Sequence, residues 1–270
     1  MSDRAIAGLR RALGSVRWRL LDALAPRRVV HARGLTFTLG CDNWITQFRL
    51  DTVETKEPET LDWVDSWIRD DDLLFDVGAN IGLYSLYAVC RHPGLAVVGF
   101  EPEYANLHVL RDNIVMNDVC GRIQVYPIAL SDRTGVSSLH VQDLTPGAAL
   151  HTESAEPLTT TESGRKVLWT EGTWRMRLDE FCAETGAWPT ALKIDVDGGE
   201  GRVLTGAREV LSRGDLRTVL VECGDAGVRT TVHALLEQAG LAPVEMGTRG
   251  DADNEVWARP VSDATPGAAA

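Results

Sequence analysis

The sequence predicts an α/β fold in which a mostly parallel sheet is covered by helices on both faces. Three observations carry this. From residue 73 onward, short continuous apolar runs alternate with segments whose apolar residues recur every three or four positions. A glycine turn, "DVGANIG" (76–82), lies between the first such run and its helical segment. The chain has 270 residues, 44% of them hydrophobic, which is enough to bury one large core.

In chain order, residues 1–28 carry seven arginines against Asp3 and Asp22, a net of +5. Ile6, Leu9, Leu13, Val16, Leu20 and Leu24 form a helical stripe there. It reads first as a helix packed on its own domain. The second reading is a helix lying on an anionic membrane surface. Residues 29–50 hold alternating runs such as "LTFTL" and predict a hairpin. "PETLDWVDSWIRD" (58–70) predicts a helix with Leu61, Val64, Trp67 and Ile68 on one face. Strands follow at 73–78, 96–101 and 123–130, with helices at 80–91 and 103–117. Further strands are predicted at 191–198 and 218–223, with helices at 200–213 and 229–239. "LAPVEM" and "EVWAR" add two closing strands.

Residues 140–175 break this rhythm. They are polar and rich in turn formers, and too long for an ordinary connection, so they read as a functional lid or a disordered insert. The organisation expected is an N-terminal helix and hairpin extension (1–57), a main domain (58–260) carrying that insert, and a disordered tail (261–270).

Composition narrows the function classes. The net charge is −12, and −17 once residues 1–28 are set aside, so nucleic acid is not an expected partner. Cys41, Cys90, Cys120, Cys182 and Cys223 form no C-x-x-C pair and read as reduced thiols in a cytoplasmic protein. No apolar run is long enough for a transmembrane helix.

The glycine turn carries the cofactor reading. Asn80 stands where a dinucleotide fingerprint would place its second glycine. Asp76 at the mouth of the turn would repel a pyrophosphate and attract a cation. S-adenosylmethionine, a sulfonium and an ammonium without a phosphate, meets that requirement. Gly78 and Gly82 let the backbone approach it. Glu101 ends the next strand and can accept both ribose hydroxyls. Ser131 and Asp132, after the third strand, suit contacts to the adenine edge, or form a plain turn.

These residues resemble the FkbM family of S-adenosylmethionine-dependent methyltransferases. The similarity runs over roughly 55–225 and is carried by "DVGANIGLYS", "GFEPEYANLHVLRDNIVMND", "PIALSD", "RLDEF" and "LKIDVDGGEGRVLTGAREVL". The resemblance implies a seven-stranded Rossmann-like sheet ordered 3-2-1-4-5-7-6. It also implies methylation of a hydroxyl oxygen on a sugar or natural-product small molecule. One departure stands out: Asp197 replaces the family's glutamate in "DVEGxE", and Gly199 follows it.

For the chemistry, "KIDVDGGE" supplies Asp195 and Asp197, which strand alternation would place on one side. Paired acids can raise one pKa and yield a base for the acceptor hydroxyl; either could instead hold the cofactor ammonium, or cap the following helix. Lys193 reads as their ion-pair partner. Asp195, Asp197 and Glu222 have the chemistry for a hard divalent ion, but packing roles are commoner, and no metal is expected. Asn113 and Asn117 read as helix-closing residues. His151 reads as a surface histidine, or as a base. Trp169 and Trp174 line an acceptor pocket or anchor the insert. Two other functions compete: a nucleotide-dependent oxidoreductase, disfavoured by Asp76, Asn80 and the lack of a Tyr-x-x-x-Lys pair, and a cofactor-binding module without chemistry.

Overall fold

The structure is a computed structural model, and it describes residues 24, 26–247 and 253–260. The N-terminal stripe and the tail at 261–270 lie outside the described residues, apart from Leu24 and the start of the hairpin.

The first strand pair is an antiparallel hairpin, β1 (Arg27–Ala32) and β2 (Leu35–Gly40), followed by α1 (Trp44–Asp51) and α2 (Pro58–Trp67). The main sheet comprises β3 (Leu73–Val77), β4 (Ala96–Phe100), β5 (Ile123–Tyr126), β10 (Ala191–Ile194), β11 (Thr218–Glu222), β12 (Ala242–Val244) and β13 (Asn254–Ala258). Its order is β5-β4-β3-β10-β11-β13-β12, with only β13 running antiparallel, against β11 and β12. Numbered along the sheet's own strands this is 3-2-1-4-5-7-6, the order that the family resemblance implies.

Helices α3 (Leu83–Arg91) and α4 (Tyr104–Met116), with α2 and the hairpin, cover one face. Helices α5 (Leu178–Thr185), α6 (Glu200–Thr205), α7 (Arg208–Ser212) and α8 (Ala226–Gln238) cover the other. Strand alternation divides β3 between the two layers. Leu74 joins the α3 side, and Phe75 and Val77 join the opposite core. There Phe181 packs edge-to-face on Phe75, Phe100 and Tyr126, with its ring 4.8 Å from Tyr126 and 4.9 Å from Phe100.

Several expected elements are shorter or divided. The strand expected at 123–130 breaks at Pro127, which has no N–H for the ladder. Its second half becomes β6 (Ala129–Leu130), paired in another sheet. The helix expected at 200–213 divides at Gly206, where an added Cβ would sit 2.1 Å from the Ser131 carbonyl oxygen. The second half restarts because Asp179 Oδ1 accepts from the backbone N–H groups of Glu209 and Val210, both at 3.0 Å. The hairpin expected over 29–50 stops at Gly40. Asn43 then caps α1 reciprocally with Thr46.

Residues 140–175 are neither a simple loop nor disordered. They build much of a four-stranded sheet, β6-β9-β7-β8, from β7 (Gly135–Val141), β8 (Thr152–Ser154) and β9 (Trp169–Met176). Asn113 and Asn117 do more than close α4. Their side-chain oxygens accept from Gly40 N–H and Thr38 N–H, each at 2.8 Å, and so fasten β2 to that helix. Among the described residues no helix is long and apolar enough to cross a membrane.

Candidate active site

A cavity of about 590 Å³ opens at the carboxyl ends of β3, β4, β10 and β11. Its floor is the glycine turn. Gly78 has φ +82°, and an added Cβ would lie 1.8 Å from the Asp195 carbonyl oxygen, so only glycine fits. The N–H groups of Gly78 and Ala79 both donate to the Phe100 carbonyl, at 2.9 and 3.0 Å, tying the turn to β4. Asn80 follows at φ +49°. Its backbone N–H donates to Glu101 Oε2 at 2.8 Å, and Glu103 N–H donates to Glu101 Oε1 at 2.9 Å. Burial nevertheless dominates and pushes the Glu101 carboxyl up to about 8, against the pull of those two N–H groups. Each of its oxygens keeps a lone pair for a further donor.

The expected site residues divide into two sets. Gly78, Asn80, Glu101, Asp195 and Asp197 line the cavity. Asp76, Gly82, Ser131 and Asp132 do not. Asp76 lies beneath the turn, 2% exposed, where Ser85 Oγ donates to it at 2.5 Å and Lys193 Nζ stands 3.8 Å away. The parallel register that pairs Asp76 with Lys193 puts it there, so its negative charge meets a lysine of the protein rather than the cavity. Gly82 faces Leu110 of α4, whose Cδ1 would be 2.3 Å from an added Cβ. Ser131 is fully buried, donating to Glu153 at 2.9 Å, and Asp132 pairs with Arg133. The wall at that point is Ile128–Leu130, because Pro127 redirects the chain before Ser131 is reached.

At the end of β10, three acids converge. One oxygen from each of Asp195, Asp197 and Glu222 lies within 4.8 Å of the others. The convergence does not come from strand alternation. β10 stops at Ile194, and Asp197 is turned inward by a left-handed backbone, φ +57°. Glu200 shapes that turn, its Oε1 accepting from Val196 N–H and Gly198 N–H, both at 3.1 Å. Helix α6 has Gly199 at its N-cap and no side-chain cap bond, so neither aspartate caps it.

The three acids hold their protons unequally. At Asp195 burial opposes ionisation, but the Lys193 ammonium, 3.0 Å away, and a hydrogen bond with Glu222 override it and bring the carboxyl down to about 2. Glu222 is driven up to about 9 by the Asp195 charge and by burial. Asp197 is raised to about 7 by burial and then by Asp195, even though Leu150 N–H donates to it at 2.6 Å. A charged Asp195, a protonated Glu222 and an Asp197 poised near neutrality are the result.

The segment between β7 and β8 roofs this arrangement. The Ala148 carbonyl accepts from Asn80 Nδ2 at 2.8 Å and from Asn106 Nδ2 at 3.0 Å. Gly147 N–H donates to Asn106 Oδ1 at 2.7 Å. Arg49 Nε donates to the Gly147 carbonyl at 2.7 Å. His151, expected at the surface or as a base, is half-buried in the cavity wall. Trp169 and Trp174 are both about half exposed and lie outside the wall. The aromatic lining comes instead from Trp44 and Phe48 of α1, which the hairpin reading concealed. Its signal was present in the sequence: Asn43 and Thr46 in capping-box spacing, with Trp44 and Phe48 one turn apart.

Residues 76–238, more than half of the chain, match the methyltransferase FkbM domain. This chain belongs to the FkbM methyltransferase family. It is 33% identical over 202 residues to the 31-O-demethyl-FK506 methyltransferase FkbM of Streptomyces tacrolimicus, covering 66% of this chain and 75% of that protein. Methyltransferase sdnD of Sordaria araneosa is 29% identical, over 62% of this chain and 73% of its own length. Among solved structures, an FkbM methyltransferase from Methylobacillus flagellatus KT aligns with TM-score 0.49 and 16% identity, over 79% of this chain and 52% of that one. This FkbM-family chain therefore spans about half the length of that solved relative. The family match begins at Asp76 and contains every cavity-lining acid from Glu101 to Glu222. It leaves out α1, which supplies Trp44, Phe48 and Arg49.

Proposed function

We propose that the protein transfers a methyl group from S-adenosylmethionine to a hydroxyl oxygen of a small molecule. The observation that carries this is the division of charge at the end of β10. An anion at Asp195 and a proton acceptor at Asp197 face the same cavity as Gly78 and Glu101.

The cavity's donors and acceptors fit that cofactor. Glu101 retains acceptor capacity for two ribose hydroxyls, and Pro102 and Ile128 offer apolar contacts for a flat base. Asp195 suits an ammonium, and so does Glu57, which lines the cavity and has a buried oxygen without a hydrogen-bond partner. A pyrophosphate would face these carboxylates across the same space, which argues against the nucleotide-dependent alternative. When bound, the cofactor supplies an electrophilic methyl carbon. Glu101 holds its ribose, Asp195 anchors its amino end, and Lys193 keeps Asp195 ionised behind it. Asp197 takes the hydroxyl proton, which a neutral alcohol keeps at physiological pH. The Leu150 N–H bond fixes the Asp197 carboxylate in place for that transfer. Glu222 is protonated at neutral pH, so it acts as a donor that steadies Asp195 rather than as a base.

Calorimetry with S-adenosylmethionine, S-adenosylhomocysteine and NAD tests the cofactor, and transfer of a labelled methyl group to hydroxylated small molecules tests the reaction. Binding of NAD without S-adenosylhomocysteine overturns the proposal. Binding of cofactor without transfer to any acceptor moves it to the non-catalytic alternative.

A further inference from the structure

The cavity wall also holds an unspent set of groups, and none of them has a part in the chemistry above. Helix α1 presents Trp44, Ile45, Phe48 and Arg49 to the cavity. These residues are spaced one turn apart in pairs, so they form a single face. Trp44 is 71% exposed and Phe48 48% exposed, so both keep open apolar surface among the described residues. Arg49 sits beside them. Its Nε is fixed by the Gly147 carbonyl, which sets the plane of the guanidinium, while its two terminal nitrogens meet no partner among the described residues.

His151 supplies a second unspent donor close by. Gln142 N–H donates to His151 Nδ1 at 3.4 Å, so in the neutral ring the proton is on Nε2. Burial pushes His151 down to about 4, so the neutral ring is the form present at physiological pH. Nε2 is buried and makes no hydrogen bond. Gly147, whose carbonyl holds Arg49, lies four residues before His151, and Leu150, whose N–H binds Asp197, directly precedes it, so the 147–151 segment joins all three in the cavity wall. Lys56, another basic residue of the cavity wall, acts instead on Asp195, the anchor assigned to the cofactor's amino end.

We propose that the hydroxyl acceptor is a carboxylic acid with an apolar body: the body lies on Trp44 and Phe48, and Arg49 with His151 Nε2–H takes the carboxylate. A guanidinium offers two parallel N–H donors matched to a carboxylate, and the imidazole N–H adds a third. A carboxylate suits this place better than a phosphate. Asp143 and Asp197 stand near the same two donors and would repel a dianion about twice as strongly. Lys56 is instead paired with Glu57, at 2.5 Å. The inference rests on the reading of this cavity as a methyl-transfer site.

The test uses the full chain loaded with S-adenosylhomocysteine, titrated with hydroxybenzoic and hydroxycinnamic acids, their methyl esters and the matching aryl phosphates. Wild type should bind at least one acid about tenfold or more tightly than its ester, and that acid should shift the His151 imidazole resonances. Arg49→Ala should bring acid and ester together, and Arg49→Lys should recover only part of the difference. Affinity for S-adenosylhomocysteine should stay within about twofold in both variants. Equal binding of acids and esters, binding of none of the acids, or preference for the phosphates overturns the inference. Loss of S-adenosylhomocysteine affinity in Arg49→Ala also overturns it, since Arg49 would then hold the cofactor's own carboxylate. Failure of wild type to bind S-adenosylhomocysteine strikes the methyl-transfer reading instead.

Discussion

Leu150 and Asp197 are bound to each other in the cavity wall, and both have left-handed backbones. The Leu150 N–H donates to Asp197 Oδ2 at 2.6 Å, with φ +66° at Leu150 and +57° at Asp197. Non-glycine residues adopt this region at a cost of about 1–3 kcal/mol each, so the surrounding packing must hold both in place. The bond joins the roof of the cavity to the end of β10.

Replacing Asp197 with asparagine keeps the shape and the bond to Leu150 while removing proton acceptance. Turnover should fall by about 10²–10⁴, the usual worth of a general base, with little change in cofactor affinity. Single-turnover rates and calorimetry on the folded variant check this. Wild-type turnover in Asp197→Asn would move the base elsewhere.

Glu101 predicts a proton released on binding. Its carboxyl stands near 8 in the free protein, and ribose hydroxyls would favour its ionised form. S-adenosylhomocysteine should therefore bind more tightly as pH rises from 6 to 8. The heat at pH 7 should depend on the buffer's ionisation enthalpy. Glu101→Gln should remove that dependence, and Glu101→Ala should weaken binding by about tenfold or more. Buffer-independent heat in wild type counts against the assignment.

Stability should fall as pH rises from about 6.5 to 9. Glu101, Asp197 and Glu222 are raised to about 8, 7 and 9, above their ordinary values. In that window the folded state holds more protons than the unfolded one, and raising pH then favours unfolding. His151, lowered to about 4, has the opposite sign, but its effect is complete below the window. Thermal melts of the free protein at three pH values give the slope, and Glu222→Gln should flatten it. A melting temperature that climbs with pH contradicts the prediction.

Gly78→Ala should be far more damaging than Gly82→Ala. Both positions have φ +82°, but the added methyl meets the rigid Asp195 carbonyl in the first case and the mobile end of Leu110 in the second. Left-handed strain and overpacking together put the first at roughly 2–6 kcal/mol. Denaturant melts of the two variants should separate them, and equal losses would show that the contact with β10 is soft.

Activity should survive a chelator. Lys193 lies 3.0 Å from Asp195 and 3.8 Å from Asp76, and their charges hold its pKa above the ordinary value despite burial. The acid cluster thus carries its own cation. Removing it, as in Lys193→Met, should cost about 3–5 kcal/mol by leaving buried charge unpaired. Loss of turnover in EDTA, restored by magnesium, would show that the three acids hold a metal.

How much of this could be read from sequence depends on how local each cause is. β3, β4, β10 and β11 were legible because both of their faces are buried, which leaves uninterrupted apolar runs. Gly78 and Glu101 were legible because strand ends place them. Asp76 misled because its neighbour, Lys193, is 117 positions away and arrives only through the sheet register. Ser131 and Asp132 misled because Pro127 diverts the chain before they reach the cavity. Asp195 and Asp197 were correctly paired for an incorrect reason, a strand pleat instead of a left-handed turn. The second sheet was hidden because β6 pairs with β9, more than 40 residues on.

The Ala148 carbonyl, which receives both Asn80 and Asn106, has a consequence for inheritance. A substitution can delete a side chain but not a peptide oxygen. The roof is thus fastened to the glycine turn by an atom that every residue type possesses. The side chain of residue 148 can therefore change while the fastening persists, as long as the two asparagines remain and the loop keeps its length.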